Sequence, residues 1–152
     1  MFNIRTDRQK NEMLLKRQKG AAAVEFAIIL PILIVLLFGI VEFGLIFYNK
    51  AVITNASREG ARYGIVFRAS GEEMACSDIT GIINAYTTDK LVTFGSATAV
   101  SIAYDPINCD PGSGNELTVS VSYNYDYSLL PGFVPGLTSP LSLTGQTIMV
   151  KE

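Results

Sequence analysis

Histidine and tryptophan are absent from this chain of 152 residues, and cysteine occurs only at Cys76 and Cys109. The absence of histidine excludes a histidine-based catalytic pair and a histidine-ligated metal site. The sequence also contains no glycine-rich phosphate loop and no nucleophile elbow, so no feature predicts an enzyme. We therefore expect no catalytic residue, no cofactor, no resident metal ion and no nucleic-acid partner.

The two cysteines are 33 residues apart, which is unlike the close pairs of zinc sites. In an exported domain they predict one disulfide, which would contribute about 3–4 kcal/mol through the entropy of loop closure, less any strain. In a cytosolic domain, two unpaired buried thiols would become the better expectation. The choice depends on where the domain lies.

Charge is distributed unevenly along the chain. The formal net charge is −2, but residues 1–19 contain six basic and two acidic side chains. The remaining residues carry twelve acidic and six basic side chains. A basic start followed by an acidic body predicts a cytoplasmic tail and an exported domain.

A long apolar segment follows the basic stretch. Residues 26–41 include no charged side chain, and Glu25 and Glu42 flank them. The apolar side chains favour insertion by about 4–8 kcal/mol in total, whereas one acidic residue at the membrane centre costs about 2.5–3.5 kcal/mol. Extended to residues 21–48, the segment exceeds the ~20 residues that a transmembrane helix needs. We predict that residues 21–48 cross the lipid bilayer.

Other interpretations of this segment are weaker. A buried core helix is usually shorter and amphipathic, and a cleaved secretory signal has an apolar region of about 7–15 residues followed by a small-x-small site. No such site follows, and no cysteine stands close behind the run as a lipoprotein would require. We expect a retained single-pass anchor in a bacterial inner membrane, with the N-terminus cytoplasmic and residues from Asn49 onwards outside.

The boundary between the basic stretch and the apolar segment carries a spaced pattern. Gly20 ends the basic stretch, and Glu25 and Phe26 stand fifth and sixth after it. The pattern resembles a type IV prepilin cleavage site in the variant used by Tad (tight adherence, Flp-type) pilus systems. Residues 19–64 are similar to the TadE-like pseudopilin family, most clearly in GAAAVEF from Gly20, LP at Pro31, GIVEFG around Glu42 and REGAR over residues 58–62.

The resemblance implies that a membrane-embedded prepilin peptidase cuts between Gly20 and Ala21. Gly20 has no side chain, so an extended backbone could enter a narrow active site. After cleavage, Glu25 could pair with the new α-amino group of Ala21, in its own chain or a neighbouring subunit, and offset part of the cost of burying either charge. Phe26 completes the motif. Other pilins or pseudopilins of a Tad-type system and an inner-membrane assembly platform are the further implied partners.

The resemblance also implies helix-packing or assembly roles for a further set of residues: Pro31, Glu42, Arg58, Glu59, Gly60 and Arg62. Pro31 is expected to kink or locally open the helix. Glu59 and Arg62 could pair on one helix face for a few tenths of a kcal/mol. Gly60 would permit close packing against a head domain, and a solvated helical face that ends at a glycine is the alternative.

The expected organisation is a basic cytoplasmic leader over residues 1–20, the transmembrane helix over 21–48, a helix extension over 49–68 and an extracytoplasmic head over 69–152. Periodicity predicts a helix over residues 78–86 and strands over 97–104, 117–128 and 147–151. Alternate tyrosines in residues 117–128 are expected to pack in the core. The fold class is α+β, a long N-terminal transmembrane helix that extends into a small pilin-like head with an antiparallel sheet.

Two loops leave alternatives open. Residues 105–116 are rich in oxygen ligands that could surround Ca²⁺, but their spacing does not match an EF-hand, and a disulfide-anchored turn is the preferred interpretation. Residues 129–141 contain two Pro-Gly turns with apolar residues between them. They form either an exposed docking loop or a cover over the sheet edge.

The leading hypothesis is a TadE-like minor pseudopilin that helps to assemble or prime a Tad-type pilus. The alternative is a membrane-anchored periplasmic adaptor that is never cleaved and shares only the anchor. The N-terminus of the mature chain separates these two hypotheses.

Overall fold

The structure is a computed structural model that describes residues 4–66, 75–93, 99–127 and 140–151, with side chains from Gly20 onwards. Its elements are two helices and three strands: α1 (Ile4–Gly64), α2 (Cys76–Thr87), β1 (Ser101–Asp105), β2 (Glu116–Tyr125) and β3 (Leu141–Val150). They divide into two compact units, Met1–Ile40 and Val41–Glu152. A long apolar N-terminal helix followed by a small domain with a three-stranded antiparallel sheet confirms the predicted α+β class.

The first unit is helical, and α1 continues through Pro31. In the part of the chain that the structure describes, one helix is long and apolar enough to cross a membrane, the segment Gly20–Gly64. None of its most apolar stretch is buried within the protein. The exposed apolar surface supports a membrane anchor rather than the core helix of a soluble domain.

The second unit is built on the sheet, in which β2 lies between β1 and β3 and pairs antiparallel with both. Alternate residues of β2 face the interior and are buried: Leu117, Val119, Val121, Tyr123 and Tyr125. The intervening residues lie on the outer face of the sheet. This is the alternation that the sequence predicted, and it makes β2 the centre of the core.

Both helices contribute to this core. Ile53 of α1 and Ile79 and Ile83 of α2 are fully buried in it. Gly60 allows α1 and α2 to pack closely, because a Cβ there would lie 2.7 Å from Ile83 Cδ1. The second half of α1 is therefore an integral part of the head.

Strand β3 is longer than predicted, since it begins at Leu141 rather than at residue 147. Two of its inward positions hold Gly145 and Thr147 instead of large apolar residues. Gly145 lies directly against α1, and the hydroxyl oxygens of Thr147 and Ser57 share a hydrogen bond of 2.7 Å. The apolar alternation is interrupted where α1 crosses the strand, which is why the sequence signal was weak there.

The remaining predicted segments are described only in part. Helix α2 covers the predicted residues 78–86, and β1 covers the second half of the predicted strand over 97–104. Residues 97 and 98 lie outside the described residues. The predicted docking loop over residues 129–141 also lies outside them, except for its last two positions.

A disulfide joins Cys76, at the start of α2, to Cys109, with the two Cα atoms 5.4 Å apart. Next to it, Asp110 Oδ1 accepts hydrogen bonds from the Gly112 N–H (3.1 Å) and from Lys151 Nζ (2.5 Å). Residues 109–112 thus form a disulfide-anchored turn that holds the end of β3. Among the described residues, no group of three or more acidic, histidine or cysteine side chains could hold a metal ion.

The Asp110–Lys151 ion pair should make the head less stable in acid. The hydrogen bond from Lys151, and then that from Gly112, hold the pKa of Asp110 below its usual value. A lowered pKa in the folded state gives stability that is present above the unfolded pKa of about 3.9 and is lost as the pH falls through the folded pKa.

We expect Asp110→Asn to lower the free energy of unfolding by at most about 1 kcal/mol at neutral pH, because the pair is only partly buried and is still screened by solvent. The difference from the wild type should vanish once the pH falls below the folded pKa of Asp110. Urea unfolding of the two full-length chains across a pH series measures this. A difference that is the same in strong acid as at neutral pH would contradict the assignment.

Candidate functional site

The predicted processing site lies on an exposed part of α1. Gly20, Ala21, Glu25 and Phe26 are all exposed, and a Cβ at Gly20 would meet no other atom within 4 Å. The peptide bond between Gly20 and Ala21 is helical. In the described structure this peptide bond is therefore accessible but helical. The helix would have to unwind locally before an extended backbone could enter a narrow active site.

Glu42 lies in the second unit, where it is fully buried although it directly follows the apolar run. Tyr125 Oη donates a hydrogen bond of 2.8 Å to Glu42 Oε1. Burial, and then the neighbouring Glu42 carboxylate, raise the pKa of the Tyr125 hydroxyl above its usual range, so the phenol remains protonated as the donor. The acidic residue that the sequence placed beside the membrane thus connects α1 to β2.

Asn49 makes a second polar contact of this kind, two turns further along α1. It is fully buried, and its side-chain Nδ2 donates to the Val92 carbonyl at 2.8 Å. The Val92 N–H donates in return to Asn49 Oδ1 at 2.9 Å. The Asn49 side-chain amide thereby satisfies both the N–H and the C=O of Val92, a residue that lies outside the described strands. Sequence reasoning missed Asn49, although a polar residue within an otherwise apolar helix face was the available signal.

Two inward-facing tyrosines of β2, Tyr123 and Tyr125, allow the contribution of the Glu42 hydrogen bond to stability to be measured. The Tyr123 hydroxyl is buried and has no hydrogen-bond partner among the described residues, whereas that of Tyr125 donates to Glu42. We expect Tyr125→Phe to lower the free energy of unfolding by about 1.5–3 kcal/mol, the value of a hydrogen bond to a charged group.

Tyr123→Phe is the matched control, since it removes the same atom from the same strand. Its effect should be near zero or slightly stabilising, because it deletes an unsatisfied buried hydroxyl. Urea unfolding of full-length chains in detergent gives both values. Equal losses for the two variants would show that the Glu42 contact has no special role.

The REGAR motif divides between the two sides of α1. Gly60 and Ala61 are buried, and Gly60 contacts Ile83 of α2. Arg62 Nη2 forms an exposed ion pair with Glu59 Oε1 at 3.0 Å, an i,i+3 contact worth a few tenths of a kcal/mol. Arg58 is exposed, and its Nη1 donates to Asn55 Oδ1 at 3.5 Å. The glycine thus packs against the head, while the two arginines face outward.

Within the described residues, the chain has one candidate membrane-spanning helix, the second half of which is built into a small α+β domain. Residues 20–62 match the family model described as TadE-like protein, which confirms the resemblance over that segment. The match covers 43 of the 152 residues. No curated protein and no solved structure matches the chain.

Proposed function

We propose that the chain is a minor pseudopilin of a Tad-type pilus, cut between Gly20 and Ala21 by a prepilin peptidase. One observation carries the proposal: the segment that matches the TadE-like model begins at Gly20, the residue at which the cleavage motif begins, and ends at Arg62. The protein acts through helix packing in the membrane and contacts of its head outside. It is a substrate of the peptidase and performs no catalysis of its own.

The helical state of the Gly20–Ala21 bond gives Gly20 a second role in processing. Cleavage requires the backbone to leave the helix locally, and glycine weakens a helix by about 1 kcal/mol relative to alanine. The peptidase therefore meets its scissile bond at a point where α1 opens at low cost. The three alanines that follow keep the bond uncrowded.

Cleavage changes the charge at the start of the membrane segment. It removes a stretch with a net charge of about +4 and creates an α-amino group at Ala21. Glu25 lies one helical turn further on, so its carboxylate can pair with this amine in the same chain or in a neighbouring subunit. The exposed Phe26, adjacent to Glu25, is free to contact that neighbour.

We place the N-terminus in the cytoplasm, the anchor in the inner membrane and the head outside. The basic stretch before Gly20 and the acidic composition after it support this orientation. The disulfide between Cys76 and Cys109 fits an oxidising compartment. The partners in this account are the peptidase, other pilins or pseudopilins, and the inner-membrane assembly platform.

Counting surface pili tests the proposed role. A bacterium that encodes this chain and a Tad system should lose its pili when the chain is deleted. The wild type and Gly81→Ala, a substitution at an open position of α2, should restore them, whereas Gly20→Ala should not. Normal piliation without the chain would contradict a role in assembly, and full rescue by Gly20→Ala would contradict the need for cleavage.

A further inference from the structure

Residues 42–62 of α1 have two sides of different chemistry. The side packed in the head carries Glu42 and Asn49, both fully buried. The opposite side is exposed, and its first residues are apolar or aromatic. We call this set the aromatic face: Phe43, Gly44, Phe47, Tyr48 and Ala51.

The aromatic face has the opposite polarity to a solvated helix surface. Phe47 is 71% exposed and Phe43 is 58% exposed. Two polar groups of the same stretch are enclosed, since Tyr125 covers the Glu42 carboxylate and Val92 satisfies the Asn49 amide. The third, Lys50, is exposed, and its Nζ donates to the Thr144 carbonyl of the head. The head thus buries the polar side chains of Glu42 and Asn49 and leaves the aromatic rings of α1 exposed. Such a helix surface belongs in apolar or interfacial surroundings.

Helix length places this face at the edge of a bilayer. The uncharged run over residues 26–41 is ~24 Å long at 1.5 Å per residue, which is shorter than the ~30 Å hydrocarbon core. The remaining length must come from residues that flank the run. On the head side, the first residues of the aromatic face can supply it and bring the rest of the face to the headgroup region, because the polar neighbours Glu42 and Asn49 are already enclosed.

The aromatic face also ends where a bilayer would end. The next residues on the same side of α1 are Asn55, Arg58 and Arg62, which are all exposed. Aromatic rings followed by polar and basic side chains are the sequence that a helix shows as it passes through the headgroup region into water.

We infer that the aromatic face lies in the lipid headgroup region on the head's side of the membrane. The enclosed Glu42 and Asn49 allow one side of α1 to enter this region while the other side carries the head. Lipid, rather than a second copy of the chain, is the favoured occupant. Two copies packed in parallel through this face would bring Arg58 and Arg62 of one chain against those of the other.

The absence of tryptophan from the chain allows a direct test with single-tryptophan variants of the full-length protein. Phe47→Trp reports on the aromatic face, Asn55→Trp on the next polar position of the same helix side, and Leu36→Trp on the exposed apolar run. Each is reconstituted in phosphatidylcholine–phosphatidylglycerol vesicles with lipids brominated at different depths of the acyl chain, and tryptophan fluorescence is measured.

We expect Phe47→Trp to emit at shorter wavelengths than Asn55→Trp and to be quenched several-fold more strongly by lipids brominated close to the headgroup. Asn55→Trp should instead be quenched by iodide in the water. Phe47→Trp emission that responds to iodide and ignores brominated lipids would overturn the inference. So would emission that changes with the protein-to-lipid ratio and ignores brominated lipids, which would indicate a second copy on this face.

The inference rests on the membrane anchoring in the proposed function. The Leu36→Trp variant distinguishes a failure of the anchor from a failure of the inference about the aromatic face. Quenching of Leu36→Trp by deeply brominated lipids shows that the anchor is inserted, whatever Phe47→Trp reports. Loss of quenching at both positions would count against the anchor and the aromatic face together.

Discussion

Gly145→Val is expected to lower the free energy of unfolding of the head by about 3 kcal/mol or more. A Cβ at this position would lie 2.8 Å from both Thr54 Cα and Thr54 N, and 2.9 Å from the carbonyl carbon of Ile53. All three atoms belong to the backbone of α1, so no side chain can rotate to make room. The helix and β3 would have to separate along the line on which they cross.

Separation would also weaken the contacts beside Gly145. The hydrogen bond between the Ser57 and Thr147 hydroxyls spans the same crossing, as does that from Lys50 Nζ to the Thr144 carbonyl. The substitution therefore affects the attachment of the sheet to α1 as well as local packing.

Urea unfolding of the full-length chain in detergent, followed by the near-ultraviolet circular dichroism of its tyrosines, measures the loss. Gly81→Ala is the matched control, because a Cβ there meets nothing within 4 Å and the residue lies inside α2. That variant should gain up to about 1 kcal/mol from helix propensity. A Gly145→Val chain as stable as the wild type would mean that α1 and β3 are not in close contact.

Removing the disulfide should have an effect of similar size. The double variant Cys76→Ser/Cys109→Ser is expected to lose about 3–4 kcal/mol, because the bond closes a loop across a sequence separation of 33 residues. The bond connects the start of α2 to the turn that holds Lys151 at the end of β3. Its loss therefore allows these two parts of the head to move apart in the unfolded chain.

A reducing agent provides the control for this variant. It should lower the unfolding free energy of the wild type by the same amount as the double substitution, and it should leave the variant unchanged. A loss below about 1 kcal/mol in both experiments would show that the loop-closure argument does not apply to this head.

Local patterns allowed much of the fold to be predicted from the sequence. The charge-free run predicted the apolar helix, and the strict alternation in residues 117–128 predicted β2 and its buried tyrosines. With only two cysteines in the chain, an oxidised head could contain only one internal disulfide. Each of these features is encoded within one segment or by one residue type.

The contacts that hold α1 to the head could not be predicted in the same way. Glu42 and Tyr125 are 83 residues apart, and Asn49 and Val92 are 43 apart. Nothing in the local pattern around Glu42 distinguishes a carboxylate in the headgroup region from one covered by a phenol. The small inward residues of β3, Gly145 and Thr147, likewise could not be explained from the sequence of β3, because they are explained by their contacts with α1.

The processing motif depends on a different kind of evidence. Gly20, Glu25 and Phe26 are assigned through resemblance, and all three are exposed. We expect their function to appear only when a peptidase or a neighbouring subunit is present.

The N-terminus of the chain after exposure to a Tad-type prepilin peptidase tests the central claim most directly. The full-length chain is co-expressed with the active peptidase or with a catalytically inactive form, purified, and examined by intact-mass and N-terminal peptide mass spectrometry. We expect a mature form that begins at Ala21 with the active peptidase only, and its loss in Gly20→Ala and in Glu25→Ala. A chain that still begins at Met1 beside the active peptidase would contradict the assignment and favour an uncleaved membrane-anchored adaptor.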